Sequence, residues 1–239
     1  MGYNFSCIIE HNEFFDNYGA DIRLKDTGGQ EDHDITVRYN LFLPTSINPR
    51  RNTGFVGIGQ DGRVRTVFVH NNLFFRKGMG ISWDGPGLQG TFAYNNTFVD
   101  CGTDVGTWLN PLIHIANNLQ YHSRAGQVFH DFQADPLSNL NSDWNLFFSV
   151  PSDTQWRNLY RPRGTTLSDW QQYSGRDEHS VWKDPVFVDL AGTCPEDFKR
   201  TGSPQDVTGS RYGPVCGAYV TGDEVIGIEP GKNRYQAKY

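Results

Sequence analysis

The sequence predicts an all-β fold, a right-handed parallel β-helix in which short strands stack coil upon coil. One phrase carries the prediction. It returns as His11-Asn12-Glu13-Phe14-Phe15, Tyr39-Asn40-Leu41-Phe42, Asn71-Asn72-Leu73-Phe74-Phe75, Asn95-Asn96-Thr97-Phe98, Asn117-Asn118-Leu119 and Trp144-Asn145-Leu146-Phe147-Phe148. The second residue of each phrase falls at 12, 40, 72, 96, 118 and 145, with gaps of 28, 32, 24, 22 and 27 residues. Each phrase follows an alternating strand, such as Ile35-Thr36-Val37-Arg38-Tyr39 or Val67-Phe68-Val69-His70. A glycine-bearing turn and a second strand often come next, as in Gly80-Ile81-Ser82-Trp83. A repeating unit of this size, built of strands without a helix, is one coil of a solenoid. A β-sandwich also puts asparagine in its turns, but its turn chemistry varies, and six copies of one phrase argue against it.

The asparagine has a physical task. Where the chain bends between strands, its side-chain amide can bond the backbone of its own coil and the asparagine of the next, forming a ladder. The Phe or Leu two places on is expected to point inward and stack on its copies. His11 and His70 precede ladder positions and read as structural.

Residues 1–150 hold about six coils. Residues 151–183 break the period and include a short helix around Thr165–Tyr173, capped by Thr166 or Ser168, with Trp170 and Tyr173 on one face. Residues 184–239 bring closing strands, turns and a polar tail. Strand character begins at Cys7-Ile8-Ile9 with no capping helix in front of it. A bare solenoid end exposes unpaired backbone, so the N-terminal coil face is expected to meet upstream coils or another chain.

Composition narrows the function classes. Twenty-seven acidic residues against 21 basic ones give a net charge of -6, with no basic block, which argues against nucleic acid as a partner. No apolar run reaches membrane-spanning length. The four cysteines, Cys7, Cys101, Cys194 and Cys216, have no metal-knuckle spacing. Cys194 and Cys216 are either a disulfide pair or buried thiols; Cys7 and Cys101 read as core.

The repeated phrases resemble the coils of the pectate-lyase-like superfamily of right-handed parallel β-helices. The tail, with Asp184-Pro185-Val186-Phe187-Val188-Asp189, Gly202-Ser203-Pro204 and Cys216-Gly217-Ala218-Tyr219, resembles their closing segment. The resemblance implies a carbohydrate-active protein, outside the cell or at its surface, whose partner is a polysaccharide or cell-surface glycan. In such folds one sheet commonly carries the substrate groove. The corresponding strands here read Asp21-Ile22-Arg23-Leu24-Lys25-Asp26, Phe55-Val56-Gly57-Ile58-Gly59-Gln60-Asp61, Gly80-Ile81-Ser82-Trp83-Asp84, Asp104-Val105-Gly106-Thr107-Trp108 and Gly126-Gln127-Val128-Phe129-His130-Asp131. Strand alternation sends Ile22, Leu24, Val56, Ile58 and Ile81 inward, and Arg23, Lys25, Gly57, Gly59, Ser82 and Asp84 outward.

The outward face thus offers a basic pair, a bare glycine floor and carboxylates at the strand ends. Gly57, Gly59, Ser82, Trp83 and Asp131 are the candidate substrate contacts. The coil bearing Arg23 and Lys25 is similar to the lysine-bearing coils of alginate lyases and chondroitinase B, which implies Lys25 as the base that takes a proton beside a uronate carboxylate and Arg23 as the carboxylate anchor. A glycoside hydrolase needs two carboxylates, a pairing that Asp61 and Asp84 can supply on successive coils. Asp26, Asp61 and Asp84 can alternatively hold calcium through carboxylate oxygens. A non-catalytic glycan-binding or structural β-helix is the remaining reading.

Overall fold

The computed structural model describes residues 5–15, 17, 19–24, 33–44, 56–60, 66–83, 90–107, 112–133, 137–159, 161–189, 195–201 and 205–218. They form a right-handed parallel β-helix of three sheets. The first sheet contains β1 (Phe5–Glu10), β4 (His33–Arg38), β7 (Thr66–His70), β10 (Thr91–Tyr94), β13 (Ile113–Ala116) and β16 (Leu140–Asp143). The second contains β2 (Glu13–Phe14), β5 (Leu41–Phe42), β8 (Leu73–Phe75), β11 (Thr97–Val99), β14 (Leu119–His122), β17 (Leu146–Ser149) and β20 (Val181–Trp182). The third contains β3 (Ala20–Leu24), β6 (Val56–Gln60), β9 (Met79–Trp83), β12 (Thr103–Thr107), β15 (Val128–Phe132) and β18 (Gln155–Asn158), closed by the antiparallel β19 (Arg161–Gly164).

The corner between the first two sheets is two residues long in all six coils. Its first residue, His11, Tyr39, Asn71, Asn95, Asn117 or Trp144, adopts a left-handed conformation with φ between 53° and 59°. That conformation is costly for a bulky side chain and persists only where its surroundings hold it. The second residue, always asparagine, does the holding. Asn72 donates from its backbone N and its Nδ2 to Asn96 Oδ1, at 3.1 and 3.0 Å, and also from Nδ2 to the Val37 carbonyl one coil back at 2.9 Å. Asn40, Asn96 and Asn118 repeat the pattern. The expected ladder therefore exists, and from Asn40 onward its asparagines are fully buried.

Inside the solenoid, Phe14, Phe42, Phe74 and Phe98 stack with centroids 5.0, 4.5 and 4.9 Å apart. Gln120 takes the next place and Phe147 the one after. A second column, Ile22, Ile58, Ile81 and Val105, continues as His130 and Trp156. Each fully buried apolar side chain of these columns contributes roughly 1.5–3 kcal/mol.

The third sheet departs from simple alternation. Between Val128 and His130, β15 carries one residue more than β18, a bulge at Phe129. The residues in the same place on earlier coils are Asp21, Gly57, Gly80 and Asp104. All turn toward the interior, although these five strands pair residue for residue and only β15 against β18 is bulged: Asp21 and Asp104 meet Lys77 and His122, a Cβ at Gly57 or Gly80 would touch the Phe74 or Phe98 ring, and Phe129 is fully buried. Gly57 is therefore not on the outer face as alternation requires: a Cβ there would lie 2.7 Å from the Phe74 ring and 2.8 Å from the Gly80 carbonyl.

The far end is closed by a cap. Helix α1 (Leu167–Ser174) starts at Thr166, whose Oγ1 accepts from Asp169 N at 3.1 Å, and ends at the left-handed Gly175. Trp170 is fully buried and donates from Nε1 to Asp177 Oδ2 at 2.9 Å, while Tyr173 is 37% exposed. Asp177 Oδ1 accepts from Asn145 Nδ2, Ser142 Oγ and Ser180 Oγ, and Asn145 N donates to Ser180 Oγ at 2.8 Å. Asp177 and Ser180 thus stand where the next asparagine would be.

Among the described residues of 184–218 there is no further coil. Their described part clads the outer face of the second sheet, where Phe187, Phe198, Val207, Cys216 and Ala218 cover Leu41, Leu73, Val99, Leu119, Tyr121 and Leu146. Arg200 and Asp206 pair inside this layer, with Arg200 Nη2 2.8 Å from Asp206 Oδ1. Cys216 is a free buried thiol there, so its pairing with Cys194, which lies outside the described residues, is not formed. Cys101 is buried as expected, but Cys7 is exposed, because β1 is the edge of its sheet.

Candidate functional site

The outward face of the third sheet carries one row in register: Arg23, Gly59, Ser82, Gly106, Asp131 and Arg157. With neighbouring strands about 4.8 Å apart, the row runs about 24 Å along the solenoid. Lys25, Asp26, Asp61 and Asp84 lie outside the described residues, so the expected base, the expected carboxylate pair and the expected calcium ligands fall beyond β3, β6 and β9.

The row differs from an open glycine floor. Arg23 is exposed and Asp131 and Arg157 are half-buried, but Ser82 is only 3% exposed and Gly59 and Gly106 are buried. At Gly106 the reason is visible: a Cβ would lie 3.0 Å from the Met79 methyl, so the Met79 thioether lies across it. Trp83 is not part of this surface. It lies in register with Thr107 and Phe132 and is completely buried, so its indole packs the interior.

The Asp131 end is a polar cluster. Gln133 Nε2 donates to Asp131 Oδ1 at 3.0 Å, and Arg157 Nε donates to Gln155 Oε1 at 3.1 Å. Burial pushes the Asp131 carboxyl above its ordinary range, and the neighbouring Arg157 guanidinium opposes that shift. The adjacent hairpin adds Arg161 and Arg163, the latter stacked over the Tyr173 ring at 4.7 Å. Arg157 stands opposite Pro162 and Arg161 opposite the buried Asn158, so the three arginines of these two strands do not share one face and Arg157 alone extends the outward row. Arginine's planar fork suits bidentate contact with carboxylate or sulfate. Arg157, Arg161 and Arg163 were not foreseen from the sequence, since residues 151–183 break the period there; the alternation of Gln155-Trp156-Arg157-Asn158 was the available signal.

The interior holds further ionisable groups. Lys77 Nζ lies 2.7 Å from Asp21 Oδ2 and donates to the Leu43 carbonyl at 3.1 Å. His122 Nε2 approaches Asp104 Oδ1 at 3.1 Å, and Gln120 Nε2 lies 3.2 Å from His130 Nε2. Burial raises the Asp104 carboxyl to about 6 against the pull of His122, and burial lowers His130 to about 4. His130 faces inward and Asp131 outward, so the adjacent pair cannot act on one group. Among the described residues no cluster of three His, Cys, Asp or Glu side chains is placed to hold a metal ion, and no helix is long and apolar enough to cross a membrane. No family model matches the chain, and neither a curated protein nor a solved structure does.

Proposed function

We propose that this chain is the β-helix body of a carbohydrate-active protein that takes an extended uronate-containing polysaccharide along the outer face of its third sheet and cleaves it by β-elimination. The observation that carries the reading is the spacing of charge on one row. Arg23 and Arg157 close its two ends about 24 Å apart, too far for one small molecule and suited to a polymer bearing repeated carboxylates. Elimination removes the proton on the carbon next to the carboxylate, breaks the carbon–oxygen bond one position further, and returns a proton to the leaving oxygen. A base and a cation on the carboxylate are what it needs. Lys25 supplies the base in this reading and Arg23 neutralises the carboxylate. Asp131 stands four strands from Arg23, about 19 Å away, so it belongs to a remote binding position and not to the same bond. A substrate of this class implies an extracellular or cell-surface location.

A second reading is a glycan-binding body without turnover; a hydrolase needs two carboxyl groups within about 5–9.5 Å of each other, a pair that Asp61 and Asp84 would have to supply. Incubation with alginate, pectate and chondroitin, with and without calcium, separates the readings. Unsaturated-uronate absorbance at the ultraviolet edge that disappears in Lys25→Ala supports elimination. New reducing ends without that absorbance point to hydrolysis, and binding without product to the body alone.

A further inference from the structure

The two ends of the asparagine ladder are chemically different. Each ladder asparagine donates toward the following coil, so each Oδ1 serves as acceptor for the coil before it. At the far end the donors of Asn145 are met by Ser180 and Asp177. At the near end Asn12 donates to Asn40 Oδ1 from N and Nδ2, at 3.0 and 3.1 Å, but its own Oδ1 accepts nothing among the described residues. β1, β2 and β3 are the edges of all three sheets at this same end. His11 is already in the left-handed conformation, φ 59°, that the inner coils show. Ile9 and Phe14 stay only partly buried, although their copies Val37 and Phe42 are fully enclosed.

We propose that this end is a docking surface for one further parallel β-helix coil bearing its own corner asparagine. Such a coil gives Asn12 Oδ1 the backbone and Nδ2 donors that Asn12 gives Asn40. It offers Asn12 Nδ2 a strand carbonyl like that of Ile9, which serves Asn40 at 2.9 Å. It also covers the open face of the Phe14 ring. The charge at the edge selects the occupant further. Glu10 pairs with Arg38 of the second coil at 2.7 Å and Glu13 is exposed beside it, so a coil with basic or neutral residues at those two places fits. A second copy of this chain does not. Head to head, Asn12 Oδ1 meets Asn12 Oδ1 and the glutamates meet each other; head to tail, Asp177, Ser180 and β20 already occupy the opposite end.

The test extends the full chain by a copy of residues 91–112, the 22-residue coil cornered by Asn96, in place of residues 1–6. The copy runs into Cys7, the residue in register with Ile113. Amide hydrogen exchange over residues 7–14 is the readout, and it slows at least about ten-fold if the coil docks. An extension carrying Asn96→Ala in the copy slows it markedly less. The same coil as a free peptide, added to the unaltered chain, reproduces the protection and guards against an extension that misfolds. Unchanged exchange in both formats overturns the proposal. So does equal protection by the Asn and Ala copies, or protection that grows with the concentration of the unaltered chain alone.

Discussion

His122 Nε2 lies 3.1 Å from Asp104 Oδ1, and neither side chain has any exposure to solvent. Asp104 is in the column that turns inward, and His122 meets it from the adjoining sheet while stacking on Phe129 at 4.4 Å. Together with His130 this pair puts two opposed titrations into one interior. Asp104, raised to about 6, keeps in the folded state a proton that the unfolded chain has released, so its contribution to stability falls as pH rises from about 4 to 6. His130, lowered to about 4, refuses a proton that the unfolded chain binds, so its contribution rises over nearly the same range. The contributions of these two groups therefore largely cancel over that range. Asp104→Asn, which can still accept from His122, unmasks a gain of about 3 kcal/mol from pH 4 to 6.5, and His130→Phe unmasks a loss of about the same size. Urea midpoints across that range check both signs; a flat profile in either variant refutes the pairing.

The ladder predicts a strong dependence on position. Asn96→Ala takes the acceptor from the buried Asn72 N and the side-chain donor from the Val69 carbonyl, while Asn72 Nδ2 keeps the Val37 and His70 carbonyls, and costs roughly 2–4 kcal/mol. Asn12→Ala, at the exposed end, removes one side-chain donor from an Asn40 Oδ1 that still accepts from the Asn12 backbone, and costs less than about 1 kcal/mol. Chemical denaturation of the two variants side by side measures the ratio.

Glycines of the third sheet divide into two kinds. A Cβ at Gly80 would lie 2.7 Å from the Asp104 carbonyl and from the Phe98 ring, and a backbone oxygen cannot step aside. Gly80→Ala therefore destabilises by about 1–3 kcal/mol. At Gly59 the nearest atom is 3.8 Å away, so Gly59→Ala is neutral or gains a few tenths of a kcal/mol through the unfolded chain. The expected outcome is a thermal midpoint lowered by Gly80→Ala and unchanged or slightly raised by Gly59→Ala.

The outer cladding depends on a buried ion pair. Asp206 accepts from Arg200 and from Cys216 N, and Arg200 Nε donates to the Pro185 carbonyl. Arg200→Ala leaves Asp206, at zero exposure, with only the Cys216 N–H and the more distant Lys183 Nζ at 3.7 Å, a loss of about 2–4 kcal/mol. The loss appears as faster proteolysis and hydrogen exchange confined to 184–218, while β7 to β15 keep their protection. The double variant Arg200→Met with Asp206→Leu recovers most of it, because no isolated charge remains.

The coils were legible because one residue type recurs at one corner, and the inward stack was legible because Phe recurs two places later. Gln120 broke that stack unannounced: a polar residue in an apolar column is explained only by His130, which lies across the lumen. The inward-turning column of the third sheet was not legible at all. Asp21, Gly57, Gly80, Asp104 and Phe129 show no common apolar character, so strict alternation put Gly57 on the wrong face and hid the partners of Lys77 and His122. The outward row was read correctly at Arg23, Gly59, Ser82 and Asp131, but its depth was not, since burial of Ser82 and Gly106 depends on neighbours such as Met79 that belong to other coils.

The two-residue corner has one more consequence. Connections at the other two corners vary, from three residues between Phe75 and Met79 to thirteen between Phe42 and Val56, and from five between Gln60 and Thr66 to eight between Leu24 and His33. Only the left-handed residue and its asparagine never change in number. That pair acts as the phase mark of the repeat: length inserted at the other two corners bulges out and leaves the stacking in step, whereas one residue gained or lost at the mark turns the side chains of the strand that follows to the opposite face. Insertions and deletions are therefore tolerated at two corners of each turn and forbidden at the third.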